Sequence, residues 1–232
     1  PADSSFALKA SMPDPPFTLV RKLDAEMRAA GIRIDGKASA ARDNFDSGSA
    51  VPVIVTHSPT LAEIVKVTNH ESVNMYAEAL RKHLGYQILG EGTFRAGAMV
   101  IRNFLDSIGC EPHKAVILDG SGLSSNNNIS ALMTVRLLVH MYNSNCPEPF
   151  LESLPEGAVS GTMKNYFRDE MFKGRVIAKT GTINSAKSFA GYVMTNSGRR
   201  VAFTMFANGF TVPSRRITDN MEKIVKEIIL NY

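Results

Sequence analysis

No apolar run in these 232 residues approaches the ~20 that a membrane-spanning helix needs, so no segment reads as transmembrane. A basic block is missing too. The net charge is +4, and Arg199-Arg200 and Arg215-Arg216 are only pairs. Nucleic-acid binding needs a denser basic stripe and is set aside. The five histidines (His57, His70, His83, His113, His140) show no ligand spacing such as His-x-x-x-His. Only two cysteines occur, Cys110 and Cys146, and they fit no metal spacing, so neither metal nor cofactor is expected. Both lie beside apolar segments and read as buried thiols, with one disulfide as the alternative in an oxidising compartment. There is no internal repeat and no low-complexity tract. The composition, 44% apolar and 21% charged, excludes disordered and fibrous classes. What remains is an ordinary globular chain long enough to bury a core. No signal peptide opens it, and Pro1 is not a natural initiator, so the N-terminus reads as a cut edge.

Residues Pro1 to Pro16 carry four prolines and no period, as a linker would. Leu19, Val20, Leu23 and Met27 then share one helical face, and Gly31 stops that helix. Ile32 and Ile34 predict a short strand before a Gly/Ser/Asp-rich loop. Val51 to His57 is β-branched and predicts a strand, with Pro52 placing it at an edge. Ser58-Pro59-Thr60-Leu61-Ala62-Glu63 predicts a helix start capped by Ser58, running to about Asn69. A second helix is expected from Asn74 to Gly85, a third over Thr93 to Ile108, and another over Ile129 to Tyr142. After Gly174 the period changes. Val176 to Thr182, Ser188 to Met194 and Val201 to Asn208 read as three strands, with Asn196-Ser197-Gly198 turning between the last two. Ile217 to Leu230 closes the chain as an amphipathic helix. Helices, then a meander, then a helix predict an α+β fold with helices packed on an antiparallel sheet.

Two short motifs carry chemistry. Ser72-Val73-Asn74 falls at the break between two helices, and Lys179-Thr180-Gly181-Thr182 ends an apolar strand. Each alone is weak. Ser72 and Asn74 also suit capping and turn chemistry, and Lys179 also suits a solvated sheet edge. Other Ser-x-Asn copies exist at Ser124-Ser125-Asn126 and Ser125-Asn126-Asn127. Ser-x-Asn followed by Lys-Thr-Gly is two thirds of the signature of penicillin-recognising serine enzymes. The remaining third, Ser-x-x-Lys, is absent, because no serine here has a lysine three residues later.

Order and context raise these motifs above accident. Ser58-Pro59-Thr60-Leu61-Ala62-Glu63-Ile64-Val65, Ser72-Val73-Asn74-Met75-Tyr76-Ala77-Glu78, Asp119-Gly120-Ser121-Gly122-Leu123-Ser124, and Lys179-Thr180-Gly181-Thr182 with Phe189-Ala190-Gly191-Tyr192 follow one another along most of the chain. In these segments the chain resembles the class C low-molecular-mass penicillin-binding proteins, D-alanyl-D-alanine carboxypeptidase/endopeptidases. The resemblance favours Ser72 over the Ser124 and Asn126 copy. It implies a β-lactamase/transpeptidase-like fold, present here as an incomplete penicillin-binding domain. It implies a serine attacking the carbonyl between two D-alanines of a peptidoglycan stem peptide, with β-lactam antibiotics as covalent inhibitors and a periplasmic location. Ser72 would relay a proton to the leaving amine, Asn74 would hold a substrate amide, and Lys179 would orient Ser72. Thr180 and Thr182 would bind the terminal carboxylate. Gly181 would admit the substrate backbone, and the Thr182 N–H would serve the oxyanion.

Asp119 and Ser121 receive no chemical step, and Glu78 reads as a surface or structural residue. Family members carry the nucleophile segment and inserted domains ahead of the region matched here. Residues 1–15 are therefore expected to be a linker or trailing edge of an insert, and 16–232 the C-terminal part of the domain. The chain alone is expected to be inactive, with apolar surface exposed in its helical layer. A non-catalytic module binding peptidoglycan peptides or a partner is the alternative. A β-lactamase or esterase on the same fold is more distant, and no deacylating carboxylate can be named.

Overall fold

A computed structural model of the chain describes residues 12–40, 48, 51 and 54–232. The chain divides into two compact units, Pro1–His57 and Ser58–Tyr232. In the first, α1 spans Pro15–Ala29. Asp14 caps it by accepting the Phe17 N–H at 3.2 Å, and Pro15 and Pro16 fill the first turn, where no backbone donor is missed. Gly31, at φ 79°, ends it as expected, with the Ile32 N–H returning to the Met27 carbonyl. The strands expected around Ile32 to Ile34 and over Val51 to His57 are not found among the described residues; Pro52 and Val53 lie outside them. Val51, Ile54 and Val55 are exposed, so β-branched propensity there has neither ladder nor apolar surface to support it.

The second unit is α+β. Its helices α2 (Leu61–Glu71), α3 (Asn74–Leu89), α4 (Phe94–Ser107), α5 (Ala131–Tyr142) and α6 (Pro147–Ser153) precede three strands. These are β1 (Val176–Ile183), β2 (Ala186–Met194) and β3 (Arg200–Asn208), and α7 (Ser214–Asn231) follows. The sheet is antiparallel in the order β1-β2-β3. Its register pairs Ala178 with Gly191, Lys179 with Ala190 and Gly181 with Ser188. Alternation sends Val176, Ala178, Phe189, Val193 and Phe203 to one face, where they pack on Phe167, Phe172 and the apolar stripe of α7 (Met221, Val225, Ile229). Ile177, Ala190, Tyr192 and Ala202 meet Leu138 of α5 and the α6 region on the other. The Tyr192 hydroxyl donates to the Leu138 carbonyl at 2.6 Å, and its burial pushes the phenol up to about 12.

Several local expectations need correction. Thr60, not Ser58, caps α2. It forms a capping box, in which the Thr60 hydroxyl accepts the Glu63 N–H at 3.3 Å and the Glu63 carboxylate accepts the Thr60 N–H at 2.8 Å. Helix α3 does not stop at Gly85 but runs to Leu89, with Gly90 as its left-handed cap. Gly85 instead lets α4 approach: a Cβ there would lie 2.7 Å from the Gly97 nitrogen. The short helix α6 was not anticipated. Cys110 is buried, but Cys146 is exposed before α6, and both are free thiols. No described helix is long and apolar enough to cross a membrane.

Candidate active site

Helices α2 and α3 meet at a sharp break. Thr68 accepts backbone N–H groups from both Ser72 and Val73, which closes α2. Ser72 adopts φ 54° and ψ 52°, the left-handed region that β-carbon sterics disfavour. Such strain is characteristic of sites where side-chain direction matters. Two residues on, Asn74 opens α3. Val73 gives that helix no side-chain cap, and its first turn holds no acidic residue, so its N-terminus keeps its positive end. The Asn74 carboxamide makes no hydrogen bond within the described residues, leaving its donors and acceptor for a ligand.

Strand β1 is an edge strand whose first half is covered. The Val176 carbonyl accepts the Gly157 N–H at 2.9 Å, and the Ala178 N–H donates to Pro155 at 3.0 Å. By the two-residue period of a strand, Thr180 and Thr182 turn their backbone groups to that same outer side. No described strand pairs with them there. The Lys179 side chain leaves the face shared with Ile177. Its Nζ donates to Ser72 Oγ at 3.0 Å and to the Thr180 carbonyl at 2.8 Å. No carboxylate among the described residues forms an ion pair with it, and burial pulls it below the ordinary lysine value. At Gly181 a Cβ would meet the Ser188 hydroxyl on the paired strand, so the absence of a side chain leaves room for that serine.

All six residues singled out from the sequence (Ser72, Asn74, Lys179, Thr180, Gly181 and Thr182) line one cavity of about 710 Å³. Gly120, Ser121 and Gly122 line it as well. Their loop is closed at its base by reciprocal Val116–Asn128 backbone bonds. Inside it, Asp119 accepts the Gly122 N–H at 2.7 Å, the Ser124 N–H at 2.6 Å and the Asn127 amide at 2.8 Å. Burial pushes the Asp119 carboxyl up, but these three bonds and the Arg81 charge outweigh it and hold it below the usual range. Asp119 is thus occupied in shaping the turn. The competing Ser124 and Asn126 copy does not line the cavity; Ser124 Oγ accepts the Asn126 N–H at 3.3 Å.

Of its two expected roles, surface or structural, Glu78 takes the structural one. It faces inward and accepts three hydrogen bonds from Gly120 and Ser121. Its position four residues after Asn74, on the same helical face, was the available signal. Among the described residues, no group of three His, Cys, Asp or Glu could hold a metal.

The sequence pattern of the D-Ala-D-Ala carboxypeptidase 3 (S13) family matches residues 2–228. A D-alanyl-D-alanine carboxypeptidase of Actinomadura sp. is 30% identical over 220 residues, covering 92% of this chain and 41% of the relative. The D-alanyl-D-alanine carboxypeptidase DacB of Haemophilus influenzae is 24% identical over 194 residues, covering 82% of this chain and 40% of the relative. This chain therefore spans well under half the length of either. Among solved structures, penicillin binding protein 4 of Haemophilus influenzae complexed with a β-lactam superposes with a TM-score of 0.78 at 20% identity. That match covers 97% of this chain and 53% of the other. The TLA-3 extended-spectrum β-lactamase superposes with a TM-score of 0.57 at 18% identity, covering 73% of this chain and 63% of the other. Both structural matches show the β-lactamase/transpeptidase-like fold.

Proposed function

This chain belongs to the D-Ala-D-Ala carboxypeptidase 3 (S13) family, and from that premise we propose that it holds the substrate-clamping half of a serine-type D-Ala-D-Ala carboxypeptidase/endopeptidase site. The substrate is a peptidoglycan stem peptide ending in D-Ala-D-Ala. The observation that carries this reading is the 3.0 Å bond from Lys179 Nζ to Ser72 Oγ, made beside the uncovered edge of β1 in the cavity that Asn74 also lines.

An extended peptide added to that edge would bond with the outward backbone groups of Thr180 and Thr182. Its terminal carboxylate would take the Thr180 and Thr182 hydroxyls, near the positive charge of Lys179. Asn74 would hold a backbone amide of the peptide. A serine oxygen, passing its proton to the lysine of its own Ser-x-x-Lys segment beyond these residues, then attacks the penultimate carbonyl carbon, and the Thr182 N–H bonds to the oxyanion that forms. When the C–N bond breaks, the departing nitrogen takes the Ser72 proton, and Ser72 recovers one from Lys179. Lowered by burial, Lys179 gives up that proton more readily than a solvated lysine. Water finally releases the acyl group. A β-lactam would present its ring amide to the same serine and leave a covalent adduct.

None of the serines here is followed three residues later by lysine. The acylating serine is therefore proposed to come from polypeptide beyond these residues, with residues 16–232 forming the C-terminal part of the penicillin-binding domain. A stem-peptide substrate places the protein in the periplasm. The test is labelling with a fluorescent penicillin. The full-length gene product should acquire a stable covalent label and this chain none. Labelling of this chain would show that another serine serves as nucleophile, and an unlabelled full-length product would contradict the enzyme reading.

A further inference from the structure

We propose that Glu78 is a positioning residue: it locks the Gly120–Ser121 wall of the cavity to α3 and makes Ser121 a hydrogen-bond acceptor toward the ligand. The second half of this inference rests on the cavity being a peptide site. Asn74, Glu78 and Arg81 are spaced i, i+4 and i+7, so they share one face of α3. Glu78 Oε1 accepts the Gly120 N–H at 2.9 Å, the Ser121 N–H at 3.1 Å and the Ser121 hydroxyl at 2.8 Å. Arg81, 4% exposed, donates from Nη1 to the Leu118 carbonyl at 2.6 Å. The helix thus grips the loop on both sides of Asp119. The loop backbone lies flush against α3, since a Cβ at Gly120 would come within 2.8 Å of the Ala77 carbonyl oxygen.

Glu78 does not behave as a surface helix residue. Its natural i+4 partner, Lys82, lies instead over the Phe94 ring at 4.2 Å. One carboxylate oxygen, Oε1, takes the backbone and hydroxyl donors, which it binds more strongly than a neutral acceptor would, while Oε2 lies 3.9 Å from Arg81 Nη1 on the same helical face. The hydroxyl of Ser121 has a single proton, and that proton goes to Glu78. Toward the cavity Ser121 therefore offers only lone pairs. The ligand group that meets it must be an N–H donor, such as a peptide amide. Because Asn74 opens the same helix, α3 couples the carboxamide and this acceptor as one rigid piece.

The test uses the isotope-labelled chain, amide hydrogen exchange by NMR, and titration with N-acetylated L-Lys-D-Ala-D-Ala. Glu78→Ala should accelerate exchange at Gly120 and Ser121 by about tenfold or more while β1 to β3 amides hold. Glu78→Gln, which keeps an acceptor oxygen, should restore protection. Glu78→Asp, one methylene short, should lose protection without unfolding the chain and serves if the alanine variant misfolds. Ser121→Ala should keep Gly120 protected but weaken the peptide by about three- to tenfold, the worth of one hydrogen bond. Unchanged exchange at Gly120 and Ser121 in both Glu78→Ala and Glu78→Asp overturns the clamp. Unchanged peptide affinity in Ser121→Ala overturns the acceptor role. Failure of the peptide to bind the unsubstituted chain refutes the peptide-site reading and with it the acceptor role, while exchange still decides the clamp.

Discussion

The two walls of the cavity are held in different ways. The β1 wall rests on its own dense core: Val176, Ala178, Phe189 and Val193 are fully buried against Phe167, Phe172, Val225 and Ile229. The wall from α2 and α3 has almost no core of its own. Helix α2 buries no residue, and α3 buries only Arg81 and Gly85. Leu61 is 64% exposed, Met75 71% and Ile88 66%. An apolar hollow of about 910 Å³, lined by Leu61, Ile64, Val67, Tyr76 and Leu80 among others, opens between the two helices. Polar contacts to α6 tie the end of α2 that carries Ser72: Asn69 donates to Ser153 at 2.9 Å, and a His70 ring nitrogen meets the Glu152 carbonyl at 3.3 Å. One wall is preorganised by burial and the other by a few hydrogen bonds and a strained serine.

The largest expected effect opposes the two walls directly. Phe189→Ala should cost about 3–5 kcal/mol, the range for deleting a buried aromatic. Leu61→Ala, on the exposed face, should stay within about 0.5 kcal/mol. Urea unfolding monitored by circular dichroism measures both, and equal losses would erase the contrast.

Next comes Lys179. Its charge is disfavoured by burial, so Lys179→Met should leave thermal stability unchanged or higher, yet weaken a D-Ala-D-Ala peptide by about tenfold or more. The folded value lies below the unfolded one of 10.5, so in that window the unfolded chain holds more protons. Stability should therefore rise with pH as the lysine discharges, and the rise should be missing in Lys179→Met. Peptide affinity should fall over the same interval. A melting temperature that drops in the methionine variant would show the lysine to be a structural ion instead.

The last effect, also on the helical wall, is modest. Thr60→Ala removes half of the capping box and should cost about 1 kcal/mol, seen as faster amide exchange in the first turn of α2. Exchange that stays slow there would mean that packing, not capping, starts the helix.

The strands, the closing helix and both motifs were legible because each depends on nearest-neighbour pattern: alternation over Val176 to Asn208, the apolar stripe of α7, and Gly31 ending α1. The failures share a cause. Gly85 reads locally as a helix stop, but it stands inside α3, where α4 approaches too closely for a side chain. Ser58 and Thr60 both satisfy a cap rule, and only the reach of Glu63 selects Thr60. Val51 to His57 has strand propensity without a described partner. For Glu78 the sequence leaves surface and structural roles open, because the donors that decide between them lie more than forty residues away. The site residues could be named from order along the chain, but their convergence on one cavity is a tertiary fact.

The most direct measurement is an NMR titration of the isotope-labelled chain with N-acetylated L-Lys-D-Ala-D-Ala. Saturable shifts confined to Ser72, Asn74, Gly120 to Gly122 and Lys179 to Thr182 are predicted, and they should be lost in Lys179→Met. Shifts confined to the apolar α2–α3 hollow, or no saturable shift at all, would contradict the account.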